Sequence, residues 1–145
     1  PVIAAGGIAD GRGVAAALAL GACGVQIGTR FLTAYECCVH ENYKNKVLKA
    51  NDTATVVTGR RLGHPVRSIK NPFSRDYTDI SDEELENKAA GALRKAVVDG
   101  DEKNGCFLSG QIAGLVTKEE SCEDIIKDLM SDTERILEDL TKWVK

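Results

Sequence analysis

Residues Pro1–Phe31 read PVIAAGGIADGRGVAAALALGACGVQIGTRF, and this stretch decides the fold. An apolar run, Val2–Ala5, meets Gly6-Gly7, and a helix-compatible segment follows from Asp10. A second apolar run, Val25–Ile27, meets Gly28-Thr29. Two strands that each end in glycine, joined by an Ala/Leu-rich crossover, make a βαβ unit of a parallel sheet. The crossover Val14–Ala22 is almost wholly apolar or small, so it packs closely on the strands rather than lying half in water.

The glycines suit an anion. A phosphate approaching the end of a parallel sheet needs free backbone N–H groups and no Cβ in the way. Gly6, Gly7 and Ile8 can offer one set of amides, Gly28 and Thr29 a second, and the Thr29 hydroxyl is a further donor. In a (β/α)₈ barrel, paired turns after the last two strands commonly hold phosphate groups. The competing reading makes Gly6-Gly7 a tight turn only, with Gly28 relieving crowding. Two glycine-ended strands at one βα spacing favour the phosphate.

AAGGIADGRG followed by GVQIGTRF resembles the FMN-dependent (β/α)₈ flavoproteins of the nitronate monooxygenase / enoyl-[acyl-carrier-protein] reductase II group. GHPVRSIKN and SGQIAGLVTKEES are similar to the enoyl reductase II branch in particular. The resemblance implies FMN as cofactor, NADH or NADPH as reductant, and a trans-2-enoyl thioester on acyl carrier protein as substrate. It places FMN against Gly6, Gly7, Ile8, Gln26, Gly28, Thr29 and Gln111, and the substrate against Leu108, Ser109 and Arg67. In the resembled group a histidine on an earlier strand serves near the flavin. Neither His40 nor His64 lies in such a motif, so no catalytic residue is assigned.

The expected fold class is α/β. A complete barrel needs about 250 residues and eight strands, whereas 145 residues supply two such strands and open inside one of them without Met. The chain therefore reads as the carboxyl-terminal portion of a TIM (β/α)₈ barrel plus a mainly helical region. Residues 1–50 form the last two βα units, 51–105 an accessory loop, strand and helix, and 106–145 a segment and helices that pack back on the barrel.

A formal net charge of −3 argues against a nucleic-acid surface. No apolar run approaches the roughly 20 residues of a membrane span. The five cysteines, Cys23, Cys37, Cys38, Cys106 and Cys122, have no CxxC or zinc-type spacing and suit a reducing cytoplasm. Cys23 and Cys122 fall in apolar patterns and are expected in the core. Asp99–Gly105 has some look of a calcium loop but lacks the alternating ligands and closing glutamate, so no metal site is expected. The enoyl thioester on its carrier and a second copy of the chain are the expected partners.

Leu32–Ala50 reads as helix in two pieces, with His40 at the break as a helix-end residue. Thr53–Thr58 has the β-branched density of a strand. From Thr53 to Arg75 there is no acid, while Arg60, Arg61, Arg67, Lys70 and Arg75 are basic; Asp76–Glu86 then carries six acids and no base. The basic groups either face phosphates or an acidic carrier, or pair internally with the acidic block. His64-Pro65 reads as structure near the cofactor mouth.

Ser81–Asp99 reads as one helix, opened by the Ser81-x-x-Glu84 capping box with Leu85, Ala89, Ala92, Leu93, Ala96 and Val97 on its apolar face. In Cys106–Val116, Gly110 and Gly114 permit close packing, and Ser109, Gly110 and Gln111 are candidates for the site. Gln111 is a lone amide in an apolar run, served by a flavin edge or by backbone. Thr117-x-x-Glu120 and Ser131-x-x-Glu134 are capping-box patterns, and an apolar stripe runs from Cys122 to Val144, with a break expected at Ser131. The functional expectation is an FMN-dependent enoyl-carrier-protein reductase. The alternatives are a nitronate monooxygenase on the same scaffold, or an inactive phosphate-binding fragment lacking the catalytic half.

Overall fold

Strands β1 (Ile3–Ala5) and β2 (Gly24–Gln26) pair in parallel, Ile3 with Gly24 through Ala5 with Gln26, and helix α1 (Gly11–Ala19) crosses between them. The structure is a computed structural model and describes residues 1–76 and 80–143. Asp10 caps α1 by accepting the Gly13 N–H at 3.2 Å, the usual role of a carboxylate just outside a helix. A short 3₁₀ helix (Thr29–Thr33) follows β2, then α2 (Glu41–Leu48), capped by His40, whose Nδ1 accepts the Asn42 N–H at 3.1 Å. His40 is thus a helix-end residue. The expected helix over Leu32–Ala50 keeps only its second piece in α form.

Strands β3 (Thr55–Thr58) and β4 (Val66–Ile69) make an antiparallel hairpin. Phe107 and Leu108 extend that sheet: Ile69 N–H donates to the Phe107 carbonyl at 2.9 Å, and Ser68 pairs with Leu108. Helix α3 (Pro72–Arg75) begins at an Asn71/Ser74 capping box. The expected single helix 81–99 is broken. Its first half is α4 (Asp82–Ala89), opened by the Ser81/Glu84 capping box. Gly91 then turns left-handed (φ 71°), and α5 (Ala92–Arg94) runs on as a π turn over Lys95–Asp99. Leu85 and Ala92 keep their inward faces despite the break.

After a second 3₁₀ helix (Gln111–Leu115), α6 runs unbroken over Cys122–Thr141. No break occurs at Ser131, whose hydroxyl donates instead to the Asp128 carbonyl at 3.3 Å within the helix. Packing on α1 keeps α6 straight. A Cβ on Gly11 would stand 2.4 Å from the Asp132 Cβ, and Thr133 is buried 3.3 Å from the Gly11 carbonyl. Ile8, Val14, Ala17, Ala34, Ile125 and Leu129 fill the space between, where full burial stabilises by about 1.5–3 kcal/mol for each large side chain. Val144, part of the expected stripe, lies outside the described residues.

A second core gathers Ala9, Tyr43, Val47, Ile69, Ala96, Phe107, Ala113 and Val116, drawing on all three segments of the expected division. Arg30 stitches the carboxyl-terminal region to the strands: its buried guanidinium donates to the Thr33 hydroxyl at 3.0 Å and pairs with Glu120. All five cysteines are free. Cys23 is exposed in the turn before β2 and is not the core thiol expected, whereas Cys122, half-buried at the start of α6, packs against the core; Cys106 is the buried one. No described helix is long and apolar enough to cross a membrane.

Candidate functional site

The turns after β1 and β2 face one hollow. A cavity of about 300 Å³ is lined by Gly6, Gly7 and Ile8 from the first turn, Gln26, Gly28 and Thr29 from the second, and Gly110 and Ile112 from the returning segment. Gly6 and Gly7 adopt φ of 86° and 73°, a region that a side chain rarely tolerates. Gly28 is different. Its φ of −110° suits any residue, yet an added Cβ would meet no atom within 4 Å. Neither backbone strain nor contact with a described residue asks for glycine there.

The N–H groups of Gly7, Ile8, Gly28 and Thr29 stand outside the β1–β2 ladder, and among the described residues none has an acceptor. Four unspent donors around one hollow are a ready receptor for an anion, because backbone amides concentrate partial positive charge without any side chain. Thr29 adds a fifth. Its Oγ1 accepts the Gly110 N–H at 2.9 Å, which occupies a lone pair and leaves the hydroxyl proton to point elsewhere.

The candidate substrate residues meet next door. A second hollow of about 560 Å³ shares Gly28, Thr29 and Gly110 with the first and is lined further by Arg67, Leu108 and Ser109. Strand pairing brings them together: Ser109 N–H donates to the Arg67 carbonyl at 3.1 Å. The buried Tyr43 hydroxyl donates to the Leu108 carbonyl at 2.6 Å, and its ring lies 5.0 Å from that of Phe107. Burial pushes the Tyr43 hydroxyl well above the ordinary tyrosine range, so it stays a neutral donor at any working pH. Leu93 and Val97 complete the wall. Leu93 is 46% exposed, whereas Val97 is half-buried and packs against the core around Tyr43 and Phe107.

Gln111 is exposed rather than buried and lines neither hollow, whereas its neighbour Ile112 lines the one between the glycine turns. His64 borders a third hollow beneath the hairpin. The basic segment divides between both readings. Arg61 pairs with Asp82 at 2.6 Å and donates to the Ile80 carbonyl. Arg67 reaches only the Thr55 hydroxyl, at 3.0 Å, with no carboxylate partner among the described residues.

The family model described as nitronate monooxygenase matches residues 1–132. A probable nitronate monooxygenase of Staphylococcus saprophyticus is 43% identical over 121 residues, covering 80% of this chain and 34% of that protein. One from Staphylococcus aureus is 36% identical over 143 residues, covering 95% and 40%. The structure of FabK from Thermotoga maritima superposes with a TM-score of 0.93 at 46% identity, covering 99% of this chain and 47% of that one. Nitroalkane oxidase from Streptomyces ansochromogenes follows at TM-score 0.79 and 27% identity, covering 97% and 41%. The chain thus spans between a third and a half of the length of the proteins it matches.

Proposed function

The chain belongs to the nitronate monooxygenase family, and from that premise we propose that it forms the phosphate-holding end of an FMN site in an enoyl-[acyl-carrier-protein] reductase. On this reading β1–α1–β2 are two βα units of a (β/α)₈ barrel whose other units the chain does not contain. One observation carries the proposal: the two glycine turns line a single hollow, and the N–H groups of Gly7, Ile8, Gly28 and Thr29 beside it have no acceptor among the described residues.

The residues present fit the cofactor's phosphate. Gly7, Ile8, Gly28 and Thr29 would donate backbone N–H groups to it, and Thr29 its hydroxyl. FMN, when bound, supplies the acceptance and delivery of hydride. Arg67, without a carboxylate partner among the described residues, would hold an anionic group of the reductant or of the carrier-linked substrate, and Leu108 and Ser109 would border the acyl thioester. No described residue of this chain is assigned as the acid that protonates the substrate carbon. The five free thiols suit a reducing cytoplasm.

Support for the enoyl reductase comes from the 46% identity to FabK across nearly the whole chain. A nitronate monooxygenase is the second reading, favoured by the names of the curated relatives. Full-length enzyme purified with its flavin separates them. Anaerobic oxidation of NADH or NADPH that depends on crotonyl thioester supports the first. Oxygen consumption with a nitronate and no thioester-dependent turnover would establish the second.

A further inference from the structure

Tyr43 and Thr29 hold opposite ends of one short stretch of backbone. That stretch is tied to β4 by two hydrogen bonds, from the Ile69 N–H to the Phe107 carbonyl at 2.9 Å and from the Ser109 N–H to the Arg67 carbonyl at 3.1 Å. Between two such bonds, the facing residues Ser68 and Leu108 direct their own backbone groups away from each other. The Leu108 carbonyl is therefore not spent on β4, and the Tyr43 hydroxyl reaches it at 2.6 Å. Two residues on, the Gly110 N–H donates to Thr29 Oγ1 at 2.9 Å. The tyrosine is itself held from behind. It is 2% exposed, and its ring lies 5.0 Å from that of Phe107. The start of α2 is fixed by the His40 N–H on the Val97 carbonyl at 2.7 Å and by Asn42 Nδ2 on the Gly100 carbonyl at 2.9 Å. So enclosed, the ring keeps its hydroxyl in one place.

We infer that Tyr43 is a positioning residue for the cofactor phosphate: by holding the Leu108 carbonyl it sets where the Gly110 N–H stands, and so where the Thr29 hydroxyl proton points. The inference rests on the FMN reading and adds to it a residue that does not touch the phosphate, since Tyr43 does not line the cavity between the glycine turns. A hydroxyl turns freely until a partner fixes it. With the Gly110 N–H on one lone pair, the Thr29 proton is kept off that side and left for the cavity that Thr29 and Gly110 both line. Without the Tyr43 hydroxyl the Leu108 carbonyl is left wanting a donor, which carries the full desolvation cost of a buried acceptor. Residues 108–110 would then shift to find one, and the Thr29 oxygen would be free to turn a lone pair toward the phosphate. The competing role is plain packing, in which Tyr43 supports the core and the phosphate does not sense it.

Riboflavin, which lacks the phosphate, separates the two roles. In full-length apoprotein titrated with flavin and read by fluorescence quenching, Tyr43→Phe should raise Kd for FMN about tenfold, the lower end of what one hydrogen bond to a charged group is worth. It should leave Kd for riboflavin unchanged. Thr29→Val should weaken FMN at least as much. Added to Thr29→Val, Tyr43→Phe should change Kd for FMN by less than about twofold, because the hydroxyl it positions is already gone. Coupling of this kind is reciprocal, which supplies a measurement that serves even if Tyr43→Phe does not fold. In the unaltered protein FMN should slow deuterium exchange at the Ser109 and Gly110 amides, and riboflavin should not. Equal losses for FMN and riboflavin, a loss undiminished in the Thr29→Val background, or exchange at residues 109 and 110 that ignores FMN overturns the positioning role while leaving the FMN site intact. Full-length protein that binds no FMN overturns both.

Discussion

Gly28→Val tests the cavity most directly. The glycine sits at φ −110° with nothing within 4 Å of an added Cβ, so the first atom of a new side chain meets neither a clash nor a left-handed backbone. Its effect on folding should stay within about 0.5 kcal/mol, as for surface changes away from special features. Its effect on FMN should be far larger. The new isopropyl group enters the space between the two turns and keeps a phosphate from the Gly28 and Thr29 amides. Each hydrogen bond to a charged group contributes about 1.5–3 kcal/mol, so losing one weakens binding by about 10–150-fold and losing both by more. The assay is paired: quenching of flavin fluorescence on titration into the full-length apoprotein, and denaturant unfolding of that apoprotein. Gly11→Ala is the opposite control. Its Cβ would lie 2.4 Å from the Asp132 Cβ and 2.7 Å from the Thr133 amide, so it should lose stability by about 1–3 kcal/mol through overpacking. Equal losses of affinity and stability in Gly28→Val, or undiminished FMN affinity, would refute the reasoning that space was kept there for a ligand.

The other predictions concern the borders of the site. Arg67→Ala should raise KM for reductant or carrier-linked substrate with FMN content unchanged, and steady-state kinetics beside flavin absorbance check both. Arg30→Ala strands the buried side of Glu120, and removing one partner of a buried pair costs about 3–5 kcal/mol. Lys118, which also pairs with Glu120, should bring the loss toward the lower end in a urea titration. Glu36 accepts the Cys122 N–H at the start of α6, at 2.9 and 3.0 Å, and that bond holds its carboxyl below the usual 4.5. A lowered carboxyl stabilises the fold above its unfolded pKa and loses that contribution as pH falls through the folded one. Unfolding midpoints should therefore drop below pH 4.5, and Glu36→Gln should flatten part of that drop.

The amide-lined cavity was legible because glycine is the chemistry there. Gly6-Gly7 and Gly28 mark positions where backbone must be bare, and βα spacing alone puts both turns at one end of a parallel pair. The hollow beside Arg67 was less legible. Arg67 and Ser109 are 42 positions apart, and only the bridge between Ser68 and Leu108, with the Ser109 N–H on the Arg67 carbonyl, joins them. The helix expected over 81–99 failed for an instructive reason. Apolar spacing continues across Gly91, so periodicity could not register the break; the glycine itself was the signal. Ser131-x-x-Glu134 matched a capping box, but Gly11 under the same helix rewards an unbroken α6, and tertiary packing overrode the local pattern. Gln111 misled because a lone amide in an apolar run looks buried, whereas a 3₁₀ turn sets it outside.

The Thr29 hydroxyl takes its partner from an amide 81 residues further on. A nascent chain with both glycine turns already made still lacks the peptide group that orients this donor, and gains it only once Gly110 has left the ribosome. Flavin loading is therefore expected to be a late event in biogenesis, timed by the arrival of a distant peptide group rather than by synthesis of the motif.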